Sequence, residues 1–128
     1  MNADVAESLL RLAQEDLDTA RVALVPSPRN AAFHVQQAAE KLAKAILIRS
    51  SIHPPRTHDI QAQAELLAPS HPWRNPLMAL DSLTPAAVAY RYPSPSGDLP
   101  DAPEAVVIAG DIDAVQALIT KALQQQLP

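Results

Sequence analysis

Residues 33–47 read Phe33-His34-Val35-Gln36-Gln37-Ala38-Ala39-Glu40-Lys41-Leu42-Ala43-Lys44-Ala45-Ile46-Leu47. At about 100° per residue, Val35, Ala38, Ala39, Leu42, Ala45 and Ile46 fall on one face of a helix. Phe33, Ala43 and Leu47 cover much of the opposite side. A helix apolar on two sides belongs at the centre of a bundle. What stays polar is a narrow stripe of His34, Gln37, Lys41 and Lys44, with Glu40 at its margin. Glu40 and Lys44 stand four residues apart in the order that favours an ion pair. The pattern runs over about residues 30–51 and stops at Pro54-Pro55, because proline pushes its predecessor out of the helical region.

The flanking segments repeat the helical period. Over about residues 3–25, Val5, Leu9, Leu12, Ala13, Leu17, Ala20 and Leu24 form one stripe, interrupted by Asp16. A carboxylate there lies at the stripe's edge or is buried with a partner, and reads as a structural partner for Lys44 or an arginine rather than as a catalytic base. After Pro55 a shorter helix is predicted to about Leu67, with Thr57 or Asp59 as its N-cap and His58 in the cap geometry. Residues 77–90 support another, bent or split by Pro85. Residues 92–103, with four prolines, read as a surface loop. Residues 105–109 are an apolar run without an assignment, and Asp111 is the expected N-cap of a last helix with Ile112, Val115, Leu118, Ile119, Ala122 and Leu123 on one face. Trp73, among prolines, reads as a small satellite core. The expected fold is all-α, an up-and-down bundle of four to five helices forming a single domain over residues 1–128.

Composition agrees. The chain has 128 residues, 48% hydrophobic and 19% charged, enough apolar material for a core. Its 13 prolines cluster between the periodic segments, and with only 2 glycines a turn-rich all-β domain is disfavoured. Zero cysteines exclude disulfides and thiolate metal sites. A net charge of −4 argues against bulk attraction to a phosphate backbone. With 3% aromatic residues, base stacking on single-stranded RNA is weakly supported too. No secretory signal is read at residues 1–7, and no apolar run approaches the ~20 residues of a membrane span, so the expected place is the cytoplasm. There is no glycine-rich phosphate loop, no histidine pair at zinc-binding spacing and no nucleophile elbow; neither metal nor cofactor is expected.

The block at residues 33–47, followed by Pro55-Arg56-Thr57-His58-Asp59-Ile60, resembles the HEPN family, in which a Phe-His-x-Gln-Gln-Ala-x-Glu-Lys-x-x-Lys-Ala helix precedes a proline and a Thr-His-Asp turn. Leu12 to Ala20, Asp16 included, is similar to that family's first helix, and Arg91-Tyr92-Pro93 to the motif after its fourth. The resemblance spans roughly residues 8–125. It implies a helical bundle, usually homodimeric, often encoded beside or fused to a minimal nucleotidyltransferase in toxin–antitoxin-like pairs.

Many HEPN domains are metal-independent endoribonucleases built on an Arg followed, after four to six residues, by a His. The histidine serves as general acid or base and the arginine stabilises phosphate charge. No histidine follows Arg91 here, the last being His71. Arg29 and His34 satisfy the spacing at the start of the second helix instead, while Arg56 and His58 stand two apart. These four are the candidate catalytic residues. Gln37, Lys41, Lys44, His58, Arg91 and Tyr92 are the candidate ligand contacts, with Asp16 and Glu40 as structural polar groups. The first reading is therefore a non-catalytic or weakly catalytic module binding a nucleotide, RNA or a partner nucleotidyltransferase. Its alternatives are an endoribonuclease toxin with a relocated Arg/His pair and a purely structural dimerisation module, in which the stripe is a solvated face and Arg91 merely closes the fourth helix.

Overall fold

The computed structural model describes residues 2–125; Pro128, the last of the clustered prolines, lies outside them. Among the described residues the chain is all-helical. Its elements are α1 (Asn2–Ala23), α2 (Pro28–Arg49), α3 (Ile60–Ala64), α4 (Arg74–Met78), a 3₁₀ segment (Asp81–Ala87) and α5 (Ala105–Gln124). The 22-residue helices α1 and α2, each about 33 Å long, pack as an antiparallel pair, and α5 lies against both. From His71, beside Ser50, to Arg91, over Phe33, the chain travels back along α2 in short pieces. The prolines at 72, 76 and 85 keep that return leg from being one helix.

The central position of α2 is as expected: 12 of its 22 residues are buried. Its alanines let α1 approach closely, and α1 answers with Ala6, Leu10, Ala13, Leu17 and Ala20, all fully buried. That row differs from the expected stripe. Val5 and Leu12 remain 48% and 47% exposed, while Leu9 and Leu24 are half-buried. Apolar residues cover two adjoining arcs of α1, and the arc that meets α2 and α5 together is the one centred on Leu10 and Leu17. Each of those leucines contributes about 1.5–3 kcal/mol by leaving water.

Helix boundaries follow from local chemistry. Ser27 caps α2, its Oγ accepting the Asn30 N–H at 3.4 Å, and Pro28 fits the first turn, where no donor is needed. At the other end Ile52 N–H reaches Leu47 O at 2.9 Å and Ser51 N–H reaches Ile48 O at 3.0 Å. That closure requires a left-handed residue, and Ser51 supplies it at φ 60°. Asp59, rather than Thr57, caps α3. This helix is shorter than predicted because its last residues tighten into Leu66 N–H to Gln63 O and Leu67 N–H to Ala64 O bonds before Pro69.

The split expected of residues 77–90 is found, as α4 and the 3₁₀ segment, but the break precedes Asp81; Pro85 lies inside the 3₁₀ segment, with no N–H to continue an α-helix. Two expectations need correction. Asp111 is not a cap: α5 begins at Ala105, with Glu104 in the cap position, and absorbs the apolar run 105–109. The reason is register, since Ile108 continues the buried row of Ile112, Val115, Ile119 and Ala122 through Gly110. Trp73 is not in a satellite either; it is 5% exposed and belongs to the single core cluster.

Candidate functional site

Core packing leaves one arc of α2 open, and His34, Gln37, Lys41 and Lys44 lie along it, each half-buried. Two carboxylates border the arc: Asp16 holds two side chains of it, and Glu40 holds one of it and two of its neighbours. On the α1 side Asp16 Oδ1 lies 3.3 Å from His34 Nδ1, while its other oxygen accepts from Lys41 Nζ. The expected partner, Lys44, is engaged elsewhere: the antiparallel packing sets Asp16 opposite residues 34 and 41, and Glu40 captures Lys44 one turn away. Lys44 Nζ donates to Glu40 Oε1 at 3.0 Å.

Glu40 is the more enclosed of the two carboxylates, at 6% exposure. Its second oxygen, Oε2, takes Gln36 Nε2 at 3.0 Å and lies 2.9 Å from His58 Nδ1. Gln37 Nε2 extends the chain by donating to Gln36 Oε1 at 2.7 Å. Burial by itself raises the Glu40 carboxyl, but the hydrogen bonds from His58, Gln36 and Lys44 outweigh it and leave the group below its ordinary value. His58 is accordingly not a capping residue. Thr57 Oγ1 accepts Asp59 N–H and Asp59 caps α3, while the His58 ring turns back onto α2 and stays 62% exposed along its side chain.

At the N-terminal end of the arc, Phe33 forms a ledge. The Arg91 guanidinium carbon sits 4.0 Å from the centroid of its ring, and the Phe33 and His34 rings meet edge to face at 5.3 Å. The return leg thereby brings Arg91 onto Phe33, whose ring meets that of His34, although 57 residues separate Arg91 from His34 in sequence. Tyr92 follows it, 62% exposed.

The pairs chosen for their spacing fare differently. Arg29 and His34, five residues apart, point about 140° apart around α2. Arg29 turns away from the stripe and donates to the Pro100 carbonyl, anchoring the proline-rich loop. Arg56 is exposed and His58 is committed to Glu40, so neither spacing unites an arginine and a histidine on a common partner. Sequence reasoning missed Gln36 and the ledge role of Phe33. Gln36 does carry a signal, being a fully buried amide whose side chain must find partners one turn along. Among the described residues, no three His, Asp or Glu side chains are grouped to hold a metal ion, and no helix is long and apolar enough to cross a membrane.

The stripe thus has three fixed cations, Lys41, Lys44 and Arg91, against two inward-facing carboxylates, with two histidines at its edges. Such a surface can hold one or two phosphate groups; proton transfer needs a free imidazole nitrogen, which His34 has in Nε2. Among known families, a model described as HEPN domain aligns with residues 6–118. No curated protein and no solved structure matches the chain.

Proposed function

The chain belongs to the HEPN domain family, a family often linked to RNA binding or cleavage, and on that premise we propose that it is a non-catalytic or weakly catalytic module that binds a phosphate-bearing ligand, a nucleotide or RNA, along the α2 stripe. One observation supports this most. Lys41 and Lys44 lie one turn apart on the open arc, and the distant Arg91 is brought to the same arc by stacking on Phe33. Asp16 and Glu40 preorganise the two lysines, which lowers the side-chain entropy lost on binding. Neither Arg/His spacing converges, which favours binding over the family's cleavage chemistry.

HEPN domains commonly dimerise, and we read this one as a homodimer, with a minimal nucleotidyltransferase as its cognate partner in a toxin–antitoxin-like pair. Exposed apolar side chains on α1 and α5, Val5, Leu12, Val106 and Val107, support self-association. The test is to titrate the purified protein with ATP, GTP and a short RNA, follow binding by calorimetry, and examine the RNA on a gel. Arg91→Ala, at an exposed position, is expected to weaken binding about tenfold without changing the melting temperature, and the RNA is expected to stay intact. Unaltered affinity in Arg91→Ala and Lys44→Ala together would leave only the structural dimerisation role.

A second reading rests on a separate observation. Asp16 engages His34 through Nδ1, the arrangement that orients an imidazole as a general base, and Arg91 stacks on the adjoining Phe33. If RNA is cut and His34→Ala abolishes the cutting, the endoribonuclease reading replaces the first.

A further inference from the structure

A cavity of about 440 Å³ opens on the side of α2 that meets α5, away from the stripe. That volume falls within the ~300–1,000 Å³ of small-molecule sites. Its apolar wall is Ile46, Pro72 and Trp73; its polar groups are Arg49, Ser50, His71 and Gln125. The polar groups are ordered by a directed hydrogen-bond network.

The Trp73 backbone N–H points at His71 Nδ1, 3.1 Å away, so that nitrogen is an acceptor. The neutral ring then carries its proton on Nε2, which donates to Ser50 Oγ at 3.2 Å, and Ser50 passes its own proton to Ile46 O at 2.9 Å. Ser50 is therefore no nucleophile awaiting a base: the histidine presents it with a proton, not a lone pair. The Trp73 indole, a donor only, takes Gln125 Oε1 at 3.0 Å and leaves the Gln125 amide N–H groups unspent. Arg49 gives one N–H to Ala122 O at 2.6 Å, and its Nε has no partner among the described residues. Lys121 Nζ lies 5.2 Å from the Trp73 ring centroid, and no carboxylate lines the cavity.

The guanidinium and amide N–H groups left over, on Arg49 and Gln125, are thus donors with no carboxylate among the lining residues, and they face an apolar wall. We propose that this cavity is a second ligand site, for a small organic carboxylate whose charged end meets Arg49 and Gln125 and whose hydrocarbon body lies against Trp73, Ile46 and Pro72. The site does not depend on the function assigned to the stripe.

Trp73 is the chain's only tryptophan, so its emission reports on the cavity. The experiment titrates the full chain with octanoate, with octan-1-ol as the same body without charge, and with acetate as the charge without the body. Octanoate is expected to give a saturable change, at least about tenfold tighter than octan-1-ol, with none from acetate. Arg49→Gln is expected to weaken octanoate by at least about tenfold, Arg49→Lys by less, and Lys44→Ala on the stripe not at all. Should Arg49→Gln lose helicity through its bond to Ala122, the octanoate and octan-1-ol comparison on the unaltered protein decides. No saturable change with octanoate, equal affinity for the alcohol, or a folded Arg49→Gln that binds as before would each overturn the proposal.

Discussion

Glu40 is costly to enclose and is kept ionised by three donors, so its pairing contributes stability only while it carries charge. Its folded-state value is depressed from 4.5, hence the contribution is present above that pH and is lost as pH falls through the lower, folded value. Glu40→Gln keeps the shape but removes the charge that Lys44 and His58 face. It is expected to cost about 1–2 kcal/mol at pH 7, and urea unfolding at pH 7 and pH 3.5 should show the difference from the natural protein shrinking in acid. A difference that stayed constant would mean packing, not charge, is what Glu40 supplies. Ser51 holds the opposite kind of cost, a left-handed backbone at φ 60° in a residue with a Cβ. No hydrogen bond from its side chain offsets that among the described residues. Ser51→Gly is expected to raise stability by about 0.5–1 kcal/mol, read as a higher urea midpoint at unchanged slope.

Among the elements, α5 shows most clearly what periodicity reveals and where it is misread. Its face is readable from Ile112 to Ala122, yet Asp111 reads as its start because aspartate is a favoured N-cap. The stronger fact was that Ile108 already continued the row. Gly110 is an interior residue of a continuous helix, and a Cβ built on it meets nothing within 4 Å. Gly110→Ala should therefore stabilise α5 by about 0.5–1 kcal/mol in a thermal melt, whereas a true boundary glycine in a left-handed conformation would lose stability on the same change. The return leg was harder to read for a physical reason. In α4 and the 3₁₀ segment, Pro76 and Pro85 leave too few backbone bonds for local propensity to decide the conformation, so packing against α2 and α3 decides it. Similarly, α1 has two apolar arcs, and the joint packing of α2 and α5 selects between them.

For the molecule as a whole, the stripe residues were readable one by one, since a polar arc on an otherwise apolar helix is conspicuous. Their partners were not. Asp16 to Lys41, His58 to Glu40 and Arg91 to Phe33 are set by how separate elements pack, which no single helix's pattern encodes. That packing matters for binding because the rest of the surface works against it: 14 acidic residues against 10 basic ones leave the chain at −4. Long-range attraction to a polyanion is absent, so affinity for RNA must come from the local cations. Three of them, Lys41, Lys44 and Arg91, set a ceiling on the counterions released. At about 0.7 per phosphate neutralised on a single strand, the logarithm of the binding constant should fall with the logarithm of salt at a slope near −2. Because Lys41 and Lys44 already face carboxylates, the slope should not be steeper, and Arg91→Ala should reduce it by about 0.7. Fluorescence anisotropy of a labelled short RNA over a range of salt concentrations measures it. A slope beyond about −4 would require a basic surface elsewhere and would move the binding site off α2.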